Sequence, residues 1–183
     1  MIPKYWFLCL VIYLVAVSPL TGQDRSSHLQ VPDSVYGFSL VETSALGGTA
    51  GTAYRYKGSA QTWADVFVYS VPEERASASD STQLSTEVES YVAGHAYGIE
   101  RGRYESYQVP VNKLIAVDTK NGSIPGRAVV MVYRRDNQSF VSFMHLFVRN
   151  GSYVKVRLTL PAAEWSNSMA PNFALELAKV LFS

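Results

Sequence analysis

The sequence predicts an α+β domain in which an antiparallel sheet carries helices packed on both faces, an α/β/α sandwich. Three strand-like segments follow one another through short turns between Arg127 and Leu160, which indicates an antiparallel meander. Helical patterns lie before and after this meander. Because the central strands are apolar on both faces, we expect helices on both sides of the sheet.

The domain is predicted to open with a hairpin. Residues 36–41 and 53–56 are predicted to form two short strands around a turn that contains Gly47, Gly48 and Gly51. A third strand is predicted over residues 63–71, because apolar side chains occur on both of its faces.

A helix is predicted after this strand. Its apolar stripe consists of Leu84, Val88, Tyr91, Val92 and His95. The i, i+3, i+4 spacing of this stripe is typical of an amphipathic helix. Asp80 and Gln83 are placed like an N-cap and its reciprocal partner, and Gly94 and Gly98 are expected to end the helix.

The meander comes next and gives the clearest pattern. Residues 104–109 and 114–117 are two weaker strand candidates that precede it. Residues 128–133, 140–148 and 153–160 are then predicted as three antiparallel strands. The last two strands are joined by Asn150-Gly151, a hairpin signal because both residue types tolerate positive φ.

A final helix is predicted over residues 168–182. Phe173, Leu177, Val180 and Leu181 form its buried stripe. Pro171 is tolerated in its first turn, where the backbone amide has no partner within the helix.

The first 22 residues are predicted to be a secretory signal peptide. Lys4 precedes an apolar run over residues 5–17, which small residues and Pro19 then break. An uncleaved N-terminal anchor is the alternative, and only in that case do we expect a membrane association. Residues 23–34 are predicted as a polar leader and residues 35–183 as one globular domain. The protein is therefore expected to be secreted or periplasmic.

Composition narrows the possible functions. The single cysteine, Cys9, lies in the predicted signal peptide, so the mature chain would form no disulfide and no thiolate metal site. Removing Lys4 leaves 15 basic residues against 15 acidic ones, with no basic block. This balance disfavours nucleic-acid binding.

The C-terminal region resembles a known family. The run over residues 150–157, the pair Leu160-Pro161, Trp165 and the closing helix are similar in element order to the PsbP-like family. That family comprises extrinsic proteins of photosystem II and their relatives, and it shares its fold with a Ran-binding nuclear import factor. The resemblance implies the fold of that family and a function in binding other proteins. The short apolar N-terminus differs from a plastid presequence, so photosynthetic function does not follow.

Candidate chemistry is sparse. The histidines are His28, His95 and His145, and they lack the spacing of a zinc site. There is no Gly-x-Ser-x-Gly motif, so no nucleophilic serine is predicted, and no cofactor is expected. A pocket between helix and sheet around Tyr91, His95 and His145 is the one candidate site, while the alternative for each histidine is a place in the core.

Three asparagines fit the N-glycosylation pattern. Asn121, Asn137 and Asn150 each precede a serine by two positions, and all fall in predicted turns. They would be glycan acceptors in a eukaryotic secretory host, whereas in a bacterium they would be turn residues alone.

Two functional hypotheses follow. The first is an exported, non-enzymatic domain that binds a protein or envelope component through one face of its sheet. The second is a small-ligand-binding protein, or an atypical enzyme, with a pocket between helix and sheet.

Overall fold

The computed structural model describes residues 29–47, 51–58, 62–165 and 169–183. The predicted signal peptide, with Cys9, and His28 lie outside the described residues. Within the described ranges, no helix has both the length and the apolar character needed to cross a membrane.

The molecule is built on one antiparallel sheet of eight strands in the order β1-β2-β3-β4-β8-β7-β6-β5. The strands are β1 (Ser34–Val35), β2 (Phe38–Ala45), β3 (Gly51–Lys57), β4 (Trp63–Ser70), β5 (Ser106–Thr119), β6 (Gly122–Arg135), β7 (Gln138–Arg149) and β8 (Ser152–Pro161). Helix α1 (Asp80–Glu100) connects β4 to β5, and helix α2 (Met169–Leu181) follows β8. The N-terminal and C-terminal meanders meet where β4 pairs with β8.

The predicted α/β/α sandwich, with helices packed on both faces, is wrong, because each face carries a single described α-helix and neither helix forms a layer over the sheet. Of the described residues, 52% lie in strands and 26% in helices, so this part of the molecule is mostly sheet and contains only two α-helices. Eight strands at about 4.8 Å spacing make a sheet nearly 40 Å wide. One helix is about 10 Å across, so two helices leave much of the sheet uncovered.

The core consists of two apolar clusters that share β7. In one, Phe173 and Leu177 of α2 lie with Phe143 and Phe147 of β7. In the other, α1 packs through Leu84 and Val88 against the alternate residues of β7, among them Met144 and Leu146. Each large side chain that is fully buried in this way contributes about 1.5–3 kcal/mol of transfer free energy.

Helix α1 differs from its prediction at both ends. The N-cap is Ser79, whose Oγ accepts a hydrogen bond from the Thr82 amide at 3.3 Å. Gln83 donates its side-chain amide to the carbonyl of Ala78 at 2.9 Å, so it is not the reciprocal partner of a cap at Asp80. The helix continues through both Gly94 and Gly98 to Glu100.

Strand β5 replaces the two weaker strands that the sequence predicted. It runs without interruption for 14 residues. Pro110 lies where the register with β6 shifts, between Gln108 and Val111. Proline is tolerated at such a bulge on an edge strand, because it has no amide hydrogen to donate to a neighbour.

The prediction for the β7–β8 hairpin is confirmed. Asn150 and Gly151 have φ angles of 53° and 75°, and Arg149 pairs with Ser152 across the turn. Two consecutive residues with positive φ are the geometry of a type I′ turn, which matches the twist of the strands that it joins.

Candidate functional site

The three residues of the predicted pocket are divided between the two faces of the sheet. Tyr91 and His95 lie together on α1, with ring centroids 4.8 Å apart. The Tyr91 hydroxyl lies 3.3 Å from the Ser142 hydroxyl of β7. His145 is three positions from Ser142 on the same strand, so its side chain points to the opposite face. A single pocket around all three residues is therefore not formed.

His95 belongs to a packed aromatic cluster. Its ring stacks on Tyr104 with centroids 5.2 Å apart and an interplanar angle of 16°, and Tyr107 and Tyr133 lie at 6.3 and 6.0 Å. Its Nδ1 contacts the Tyr91 carbonyl oxygen at 3.1 Å. Burial lowers the pKa of His95, which favours the neutral ring. These contacts indicate that His95 fixes the C-terminal half of α1 to the sheet.

His145 lines a large apolar groove, which we call the α2-side groove. Its volume is about 580 Å³. The lining residues are Pro110, Val111, Lys113, Ile115, Ala128, Val129, Val130, Val132, Val141, Phe143, His145, Trp165, Pro171 and Leu175. The groove thus lies between α2 and strands β5, β6 and β7.

Strand register explains how these residues come together. Val111 pairs with Val130, and Lys113 pairs with Ala128, which in turn pairs with His145. Residues directly opposite each other in an antiparallel pair share a face of the sheet. One row of side chains therefore crosses the floor of the groove from the edge strand to β7.

Lys113 and His145 are the polar side chains of this groove. His145 is 6% exposed. Burial, with a smaller effect of the nearby Lys113 charge, lowers the pKa of His145 to about 4. The imidazole is consequently neutral at pH 7. Lys113 is exposed, and among the described residues no ion pair involves it.

This arrangement suits binding more than catalysis. Apolar walls favour an apolar ligand surface, and one cation at the edge of the floor can orient a ligand through a single negative or acceptor group. Within the described ranges, no group of three His, Cys, Asp or Glu residues could hold a metal ion.

The groove residues of β5 were not among the predicted site residues. Val111, Lys113 and Ile115, which line the groove, and Val117 alternate with polar or exposed residues, which is the period-two pattern of a strand. Pro110 broke this pattern into two weak segments, and the partner strand could not be read from local sequence.

The three predicted glycan acceptors lie in exposed turns. Asn137 and Asn150 both have positive φ, at 61° and 53°, so the turns themselves account for asparagine there. The Asn121 side chain donates a hydrogen bond to the Phe182 carbonyl oxygen at 3.4 Å, near the end of the chain.

Comparisons with known proteins give little guidance. No family model matches the chain, and no curated protein matches it. Among solved structures, it is similar to PA94 from Pseudomonas aeruginosa, a protein of unknown function, with 14% identity and a TM-score of 0.36. That match covers 74% of this chain and 78% of the other. A TM-score of this size supports no conclusion about function, and the resemblance to the PsbP-like family stays a prediction.

Proposed function

We propose that this chain is an exported, non-enzymatic binding domain that holds an apolar part of a protein or envelope component in the α2-side groove. The observation that carries the proposal is the groove itself, an open and mostly apolar depression with a volume of about 580 Å³ on one face of the sheet. An exposed apolar surface of this kind is typical of interaction sites, because leaving it in water is costly.

Trp165 adds support at one end of the groove. Its side chain is 48% exposed, and its ring stacks on Phe143 with centroids 6.4 Å apart. One side of the Trp165 ring contacts Phe143, and the other side is exposed to solvent, so it can bury further area against a partner. Tryptophan is among the residues that most often dominate binding energy at interfaces.

Strand β5 forms the outer side of the groove floor and one edge of the sheet. Natural edge strands avoid uncontrolled pairing through charges, proline and bulges. Pro110 and Lys113 supply such features here, together with the register shift after Gln108. This favours the groove, and not the strand's outer backbone, as the binding surface.

The alternative function is binding of a small ligand in the same groove. Its volume falls within the usual range of about 300–1,000 Å³ for small-molecule sites. Lys113 would pair with a carboxylate on an otherwise apolar molecule. An enzymatic role has less support, because Lys113 and His145 are the only titratable residues in the lining that is described.

Site-specific photocrosslinking tests the proposal. A photoreactive phenylalanine at Ile115, which lines the groove, is expected to give a discrete crosslinked product in cells. The same probe at Val41, which is 52% exposed and lies outside the groove, is the control. The product should disappear when Val130→Asp places a charge on the floor. Identical products from both probe positions, or no product from Ile115, would overturn the proposal.

The small-ligand alternative predicts a different result. Purified protein should bind an apolar fluorescent dye, and dodecanoate should displace the dye more strongly than dodecanol does, because Lys113 prefers the carboxylate. In that case Lys113→Gln removes the preference for dodecanoate, and photocrosslinking at Ile115 gives no protein product.

A further inference from the structure

A second depression lies on the other face of the sheet, beside α1. We call it the α1-side trough and define it by Phe67, Tyr69, Glu87, Tyr91, Lys155 and Arg157. Its volume is about 280 Å³, and Leu46 closes one side. Strands β4 and β8 form its floor, because Phe67 pairs with Lys155 and Asp65 pairs with Arg157.

The lining of the trough carries more positive than negative charge. Lys155 and Arg157 face it with two positive charges, and Glu87 is the acidic residue of the lining, while Asp65, which pairs with Arg157, lies outside it. Glu87 is already engaged by three donors. Its Oε1 accepts from Tyr69 at 2.6 Å and from Lys155 at 2.7 Å, and Oε2 lies 3.4 Å from Arg75. The carboxylate already pairs with Lys155 and Arg75 and therefore has little capacity left to neutralise Arg157 as well.

Hydrogen-bond donors are also in excess. An ammonium group has three N–H donors and a guanidinium group has five. Among the described residues, Lys155 donates to Glu87 alone, and Arg157 donates to Asp65 alone, at 3.0 Å. Several donors of the trough thus have no acceptor among the described residues. A ligand that fits must be rich in acceptors.

Aromatic rings hold both cations in place. The Arg157 guanidinium lies 5.5 Å from the centroid of Phe67. The Lys155 ammonium lies 5.1 Å from the centroid of Tyr69 and 6.0 Å from that of Tyr91. Cation–π contacts restrict the two side chains before any ligand arrives. Less side-chain entropy is then lost when a ligand binds.

The trough continues into a smaller depression of about 140 Å³ that shares Phe67 and Arg157 with it. Here Asp65 is held between two arginines, since Arg55 Nε also lies 3.0 Å from its Oδ1. Asp65 would keep Arg55 as a partner if Arg157 turned towards a ligand. The network can therefore release one cation without leaving a carboxylate unpaired.

We infer that the α1-side trough is a binding site for a small organic carboxylate with an apolar body. The carboxylate lies against Lys155 and Arg157, and the apolar body lies against Leu46, Phe67 and Tyr91. A volume of about 280 Å³ limits the ligand to a small molecule. Because Arg157 can form two parallel hydrogen bonds with a carboxylate, it selects this group over a neutral amide. This site is independent of the α2-side groove, which lies on the opposite face.

Titration calorimetry with benzoate, and with benzamide as the neutral molecule of the same shape, tests this inference. We expect saturable benzoate binding at least tenfold tighter than benzamide binding. Arg157→Gln should weaken benzoate binding at least tenfold, and Arg157→Lys should restore part of it. Lys155→Met should weaken it as well.

Arg134→Gln is the matched control, since Arg134 is an exposed arginine paired with Glu105 and lies outside the trough. It should leave benzoate binding unchanged. A thermal melt of each variant establishes that it is folded, and Asp65 retains Arg55 in the Arg157 variants. Two results would overturn the inference: equal binding of benzoate and benzamide, or unchanged benzoate binding in folded Arg157→Gln. It would also be overturned if 10 mM benzoate gave no saturation, because the binding free energy would then be smaller than about 3 kcal/mol.

Discussion

Gly98 on α1 lies directly against the ring of Tyr104. A Cβ atom at Gly98 would lie 2.5 Å from two ring carbons of Tyr104, closer than atoms can approach. That ring stacks on His95 and meets the ring of Tyr133 edge-on, with centroids 5.0 Å apart. The absence of a side chain at Gly98 thus determines how the last turns of α1 dock on the sheet.

Gly98→Ala is therefore expected to destabilise the protein. Alanine favours a helix over glycine by about 1 kcal/mol, but overpacking against Tyr104 costs about 1–3 kcal/mol. Gly94→Ala is the matched control, because a Cβ there meets nothing within 4 Å. We expect it to stabilise the protein by about 0.5–1 kcal/mol. Urea denaturation measures both changes, and a stabilising Gly98→Ala would contradict the packing argument.

The same glycines show what the sequence could and could not predict. Gly94 and Gly98 were expected to end α1, because glycine weakens a helix locally. The packing of Tyr104 over Gly98 also involves Tyr133 of β6, which is remote in sequence and outside the local pattern. The turn at Asn150-Gly151 was predicted correctly, since its backbone geometry is set by the two residues themselves.

The sequence also could not show which parts of each sheet face are covered by a helix, for a related reason. A strand residue that lies under a helix and one that lies in an open groove show the same apolar alternation. Val130 and Phe143 were therefore compatible with a further helix, although they line the α2-side groove. Likewise, the period-two pattern of a strand puts His145 on one face with Phe143, but the face that α1 covers depends on the topology of the whole sheet.

Glu87 is predicted to stabilise the junction of α1 with the sheet. Its side chain is 13% exposed and pairs with Lys155 and Arg75, while Tyr69 donates a hydrogen bond to it. Glu87→Gln should cost about 1–3 kcal/mol, because it leaves half-buried cations without a charged partner. Glu89→Gln, at an exposed position on the same helix, should change stability by less than about 0.5 kcal/mol. Thermal melts that gave equal effects would count against this role.

Asn150 allows the turn function to be separated from glycosylation. Its φ of 53° strains residues that carry a Cβ, apart from asparagine and aspartate. Asn150→Ala should cost about 1–2 kcal/mol, whereas Asn150→Gly should be nearly neutral. Both variants remove the acceptor, so any glycan seen by mass spectrometry in a eukaryotic host would be lost from both. A similar loss of stability in both would show that the turn geometry is not what asparagine provides.

His145 is expected to make stability depend on pH. Its folded-state pKa of about 4 lies below the reference value of 6.5 for the unfolded chain, so the unfolded state takes up the proton first as pH falls. The contribution of His145 is therefore fully present above pH 6.5 and declines as pH falls towards 4. Between pH 7 and pH 5 the loss amounts to about 1–2 kcal/mol.

His145→Leu removes this titration while keeping the groove apolar. Its free energy of unfolding, measured in urea at pH 7 and at pH 5, should fall less between the two values than that of the original protein. His95, whose pKa burial also lowers, leaves a residual dependence in the variant. Lys113 is the charged group that faces His145 from β5, and Lys113→Gln should raise the pKa of His145 and reduce the dependence slightly. If His145→Leu loses as much stability as the original protein, a group other than His145 carries the effect.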